Sequence, residues 1–139
     1  MAKGLATLVR VNEWTVDEKR RALGALLREL EQLESARRQL DRELADEQAA
    51  AASMPNEAGL LYGVYAEGVI IRRERMDAAI VAKQSEIEKA REALNEAYRE
   101  LKKFEVIRDN RAREAQAAEA REERIQLDEM GIESYRRRS

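Results

Sequence analysis

Cysteine and histidine are both missing from this chain of 139 residues. Without cysteine there is no disulfide framework, no thiolate nucleophile and no sulfur-based metal site. Nothing in the chain then depends on an oxidising compartment. Without histidine the usual general base and the commonest metal ligand are gone. Proline occurs once, at Pro55, and aromatic residues make up 4% of the chain, too little bulk for a globular core. No long apolar run occurs, so neither a signal peptide nor a membrane span is expected, and a cytoplasmic protein is. No Gly-Lys-Ser/Thr phosphate loop is present. Neither sign of charge dominates: 26 basic residues face 28 acidic ones, for a net charge of −2. That balance argues against a dedicated nucleic-acid binder, whose affinity comes largely from a basic excess.

What the chain does have is charge and helix formers. Charged residues make up 39% of it, and Ala, Glu, Leu, Arg and Gln dominate, the composition of a long helix or coiled coil. One domain, 1–139, is the default at this length. Large apolar residues recur at alternating steps of three and four through Val69, Met76, Ile80, Ile87, Leu94, Leu101 and Phe104, with Ala90 and Ala97 in smaller slots. This is a heptad seam, the mark of a helix that buries one narrow stripe against another helix. A second seam runs through Leu5, Val9, Val16, Leu23, Leu26, Leu30, Leu33, Leu40 and Leu44. Asn12, Lys19 and Arg37 interrupt it, and Leu8 and Leu27 widen it. Thr15-Val16-Asp17-Glu18 has the form of a capping box, but Ser85 to Glu88 has the same form inside a clear seam. One helix from about residue 3 to about 52 is therefore expected.

The break lies between Ser53 and Gly59. Pro55 cannot sit inside a continuous helix, and Gly59, Gly63 and Gly68 weaken helix over the following turns. A reversal at about 53–59 makes an αα-hairpin. The glycines read as loop residues rather than as a close-packing motif. A second helix is expected over about 60–130, capped at Gly131. The fold class is then all-α: two long helices in an antiparallel coiled-coil hairpin. With the reversal centred near Pro55, Lys3 faces roughly Ile107, which is where the apolar seam gives out. The second helix should overhang from Arg108 onward. Half of that stretch is charged, with acids and bases in equal number. A helix polar all round either frays or waits for a partner.

Candidate sites follow from this layout. Acidic pairs such as Glu122-Glu123 and Asp128-Glu129 lack the concave, water-excluding pocket that catalysis or metal binding needs, and read as solvated faces. No enzyme activity and no cofactor or metal are expected. Trp14 lies off the seam, either packed along the free end of the hairpin or anchoring a partner. Tyr62 and Tyr65, with Val69, Ile70 and Ile71, form an apolar knot beside the turn, which either closes the hairpin or presents a binding surface. Part of the Phe104, Val106, Ile107 cluster faces outward.

The segment Leu101-Lys102-Lys103-Phe104-Glu105-Val106-Ile107-Arg108-Asp109-Asn110-Arg111, followed by Glu119 and Gln126-Leu127-Asp128-Glu129, resembles the flagellar export protein FliJ family. The beginning, with Leu5, Leu8 and Arg10 and then Trp14 to Arg21, is similar to that family too. The resemblance covers nearly the whole chain in length and layout. It implies a two-stranded antiparallel coiled coil in the flagellar type III export apparatus. It also implies three partners: the export ATPase ring (FliI-like), the export gate protein (FlhA-like) and export chaperones. On that reading the open end of the hairpin engages the ring through Arg10, Trp14, Arg108, Arg111, Arg113, Asp128 and Glu129. Tyr62, Tyr65, Val69 and Ile70 serve the gate or the chaperones. The protein would sit at the inner face of the cell membrane without inserting into it. The alternatives are a generic coiled-coil scaffold or chaperone that dimerises through the overhang, and the equivalent stalk of a virulence-type secretion system.

Overall fold

A computed structural model describes residues 2–53 and 56–138, with side chains over 3–53 and 60–138. Two helices make it up, α1 (Ala2–Ala52) and α2 (Asn56–Arg138), packed against each other as an all-α hairpin. Helix α1 runs straight through Thr15, whose hydroxyl donates to the Val11 carbonyl at 3.0 Å and caps nothing. It closes at Ser53, whose amide and hydroxyl both donate to the Ala50 carbonyl. The expected break at Met54 and Pro55 lies outside the described residues. Helix α2 begins at Asn56, earlier than the glycines suggest, and Asn is a favoured residue at a helix start. Gly63 and Gly68 are inside it, and no described glycine has a positive φ. They are helix residues rather than loop residues. Nothing lies within 4 Å of a Cβ built at either, so close packing does not demand them. Gly131 likewise sits within α2, which continues to Arg138 instead of being capped there. The final stretch is held by local forces: strong helix formers and i,i+4 pairs such as Arg137 with Glu133 at 3.2 Å.

The chain divides into two units, residues Asp17–Glu96 and residues Met1–Val16 with Ala97–Ser139. In the first, Leu40, Val69 and Ile87 are buried, and Leu23, Leu26, Leu30, Leu33, Met76, Ile80 and Leu94 are half-buried along the two stripes. Three basic residues occupy seam slots and stay half-buried: Arg37, Arg73 and Lys83. Each reaches an acid on the other helix. The Arg37 Nε donates to Asp77 Oδ1 at 2.8 Å. The Arg73 Nε lies 3.3 Å from Asp41 Oδ1. Arg37 also pairs with Asp41 on its own helix, so the four side chains form one linked, neutral quartet. Lys83 Nζ donates to Glu29 at 2.7 Å and to Glu86 at 3.0 Å. As α2 advances from 73 to 77 to 83, its partners on α1 retreat from 41 to 37 to 29, so the helices are antiparallel. A mirror at residue 55 places Arg37 opposite Arg73, and each arginine then reaches one turn onward to its aspartate. Such half-exposed pairs add little stability. Their larger effect is to specify alignment, as polar seam residues do in coiled coils.

In the second unit Leu5, Val9 and Val16 are buried on α1, and Ala97 is buried on α2. Leu101, Phe104 and Ile107 are half-buried, and Val106 is exposed. Asn12 occupies a seam slot but donates its amide back to the Leu8 carbonyl at 2.7 Å, which satisfies it locally. Lys19, the other expected interruption, belongs to the first unit and is exposed. From Arg108 to Arg138 every described side chain on α2 is exposed.

Two kinds of expectation test this arrangement, the first of packing and the second of charge. Ile87→Ala should lower stability by about 2–4 kcal/mol, toward the lower end because a two-helix stripe collapses easily. Cysteines placed at Leu23 and Ile87 should close within one chain on a non-reducing gel, and exclusively intermolecular links would contradict the hairpin. The second expectation concerns Lys83, whose pKa is raised above the ordinary 10.5 by its hydrogen bonds, to Glu29 first and then to Glu86. A raised pKa means that the stabilisation is complete below the ordinary value and is lost as pH climbs through the raised one. Thermal melts past pH 10.5 should therefore show a smaller alkaline loss for Lys83→Met than for the unaltered chain.

Candidate partner-binding surfaces

The paired stretches leave three exposed regions, each defined by what the seam does not use. The first is the outer face at the start of α1. A residue at the seam points toward α2, so residues half a turn away point out. Leu8, Val11 and Trp14 lie on that outer side, and Trp14 is 65% exposed. Arg10 is exposed beside them. An exposed indole is a costly surface to leave in water, and Trp is enriched among residues that anchor partners. Packing along the free end does not account for it.

The second region is the overhang of α2. Arg108, Arg111, Arg113, Asp128 and Glu129 are all exposed there, and Arg108 Nε contacts Asp109 at 3.2 Å. These residues do not form one cluster. Asp128 lies about 30 Å beyond Arg108, at about 1.5 Å of rise per residue. Arg10 and Trp14 sit beside the paired stretch, before the overhang begins. What the residues share is a surface of alternating sign along one exposed helix.

The third region is the first turns of α2, and here the structure redistributes the expected residues. Val69 is 1% exposed, the most completely buried large side chain, and so is packing and not binding surface. Tyr62 and Tyr65 are half-buried, with ring centroids 6.5 Å apart and planes tilted by 41°. They line the seam side as much as the surface. Ile70 is exposed. The outward face belongs instead to Leu60, Leu61 and Val64, at 77%, 73% and 72% exposure, and to Ile71. Helical spacing places these four on the side opposite Tyr62 and Val69. The signal was available in the sequence: from Ala58 to Ile71 a single charge, Glu67, occurs in a chain that is 39% charged. Where a helix is apolar all round, one stripe covers the seam and the other is left on the surface.

None of the three regions is concave. The grooves present are shallow, such as the one lined by Tyr98, Leu101, Lys102 and Glu105. Among the described residues no group of acidic side chains is arranged to hold a metal ion, and no helix is long and apolar enough to cross a membrane.

Comparison with known proteins gives one match. The family model described as flagellar FliJ protein matches residues 1–139, the whole chain. No curated protein and no solved structure matches. An antiparallel helical hairpin with a long exposed extension, matched from end to end by that one family model, belongs to the flagellar FliJ family and is associated with flagellar type III export.

Proposed function

We propose that this chain is a non-enzymatic stalk of the flagellar export apparatus, one that joins an export ATPase ring to a membrane export gate and escorts export chaperones. It would act at the inner face of the cell membrane without inserting into it. The observation that carries the reading is the overhang: residues 108–138 are helical and exposed throughout, with acids and bases in equal number. A stalk inside a ring of repeated subunits meets the same surface several times around its axis. Weak contacts of both signs along its length serve that better than one sticky patch, because individual exposed ion pairs contribute only about 0–1 kcal/mol each. The open end adds Arg10 and Trp14 as further contacts with the ring. On the first turns of α2 the gate or a chaperone would meet Leu60, Leu61, Val64, Ile70 and Ile71, with Tyr62 and Tyr65 at the edge of that surface. An apolar face of this kind on an otherwise charged chain marks a contact surface.

The ATPase test is direct. Truncation after Ile107 should leave a cooperative helical hairpin, because every described residue removed is exposed. The truncated chain should no longer stimulate ATP hydrolysis by the export ATPase of the same cell. Reversal of charge at Arg108 and Arg111 should weaken stimulation most at low salt, since screening acts over about 10 Å at 0.1 M. Equal stimulation by the truncated and intact chains would remove the overhang from the mechanism and leave the Trp14 side.

The apolar face has its own test. Changing Leu60, Leu61 and Val64 together to serine should leave the melting temperature nearly unchanged, as exposed substitutions usually shift stability by no more than about 0.5 kcal/mol. Secretion of flagellar subunits should fall while ATPase stimulation persists. Tyr62→Ala should lower the melting temperature instead, because its ring is partly packed. Undiminished secretion by the triple variant would mean that this face meets no export partner.

A further inference from the structure

We propose that the face of α2 which continues the seam beyond Ile107, over residues 114–133, is a docking surface for a basic amphipathic helix. The proposal deepens the stalk reading, on which it rests for where such a helix would be met in the cell.

The argument starts from continuity. The heptad slots filled by Ala97 and Phe104 in the paired stretch recur at Arg111, Ala118, Ile125 and Ile132. The alternate slots, filled by Leu94 and Leu101, recur at Arg108, Ala115, Glu122 and Glu129. Helix α2 is unbroken across the change, so the side that meets α1 as far as Ile107 is the same side that carries Ala115, Ala118, Ile125 and Ile132. Ile125 and Ile132 are exposed there, at seam positions with no α1 residue against them. The interface between the two helices thus runs on as half an interface.

Charge then says what completes it. On the seam slots and the positions flanking them, residues 114–133 carry six acids: Glu114, Glu119, Glu122, Asp128, Glu129 and Glu133. Arg121 is the one base among them. The opposite side of the same stretch has only Glu123 and Arg124, which cancel. The acidity is confined to the face that continues the seam. Glu133 is spanned by Arg137 on the same helix, and the tail basic residues Arg136, Arg137 and Arg138 lie beyond this stretch. A second copy of the chain would bring the same acidic face against it, and like charges across a coiled coil oppose pairing. A helix with an apolar stripe flanked by lysine or arginine is complementary in both respects: small or branched apolar contacts at Ala118, Ile125 and Ile132, and basic side chains across to the glutamates. Twenty residues at about 1.5 Å each give about 30 Å, room for a partner of about three heptads.

The probe is a fluorescein-labelled peptide of three heptads, with leucine at the two seam positions and lysine at the flanking ones. It is titrated with the full-length chain and followed by anisotropy and helicity. Saturable one-to-one binding with gain of peptide helicity is expected. Ile125→Asn with Ile132→Asn, and separately Glu122→Lys with Glu129→Lys, should each weaken it by about tenfold or more. These side chains are exposed and outside the paired stretch, and unchanged melting of each variant checks that the hairpin persists. The same peptide with glutamate for lysine should not bind. Equal binding of the glutamate peptide overturns the proposal. So does insensitivity to the asparagine pair, which would reduce the effect to diffuse charge attraction. A dimer of the chain itself, abolished by the asparagine pair in sedimentation, would assign the face to a second copy and overturn it too. Because the titration contains no ATPase, its failure is separate from any loss of ATPase stimulation.

Discussion

Pairing between two helices of unequal length is the constraint on which the rest depends. Helix α1 has 51 residues and α2 has 83. A two-helix coil has no third element to cover what the pair leaves open, so each helix buries one stripe and no more. Only seven described residues are buried, and all of them are apolar seam residues: Leu5, Val9, Val16, Leu40, Val69, Ile87 and Ala97. Everything that is not seam is surface. The longer helix therefore exposes its last thirty-one residues on every side, and that surplus gives the chain its most distinctive surface.

Much of the stripe was legible in the sequence because its period is regular. Val69, Ile87, Ala97, Leu5, Val9 and Val16 all fall where the heptad places them. The point where pairing ends was legible too, because the fade of apolar residues after Ile107 coincides with the length of α1. Arg73 and Lys83 were not. A search for apolar residues passes over charged ones, although a long basic side chain can lay its stem in a seam slot and put its head beside an acid. Only the distances to Asp41 and Glu29 reveal that they belong to the interface. The overhang was legible as helix as far as about residue 130, but its continuation through Gly131 to Arg138 was not, because pattern arguments read a late glycine as a cap and look for burial to sustain a helix.

The candidate surfaces divide the same way. Trp14 stands out by being off the stripe in a chain with no other tryptophan, and its exposure matches that position. At the start of α2 periodicity gives no direction, because Leu60, Leu61, Tyr62, Val64, Tyr65, Val69, Ile70 and Ile71 cover the whole circumference. Which of them face the partner helix is decided by α1, tens of residues away in sequence. Tyr62 is half-buried and Leu60 is bare for that reason, whereas Val69 already falls on the heptad seam.

The quartet of Arg37, Asp41, Arg73 and Asp77 has a mechanical meaning. An axial pull on one helix of a hairpin is felt by its interface as shear, and an apolar stripe resists shear poorly because one heptad register resembles the next. Here a slip of one heptad would set Arg37 against Ala66 or Ile80 in place of Arg73 and would carry its guanidinium away from Asp77. A cation would be left among apolar side chains and an aspartate would lose its counter-charge, a mismatch absent from the native alignment. The two helices are therefore keyed against sliding past one another.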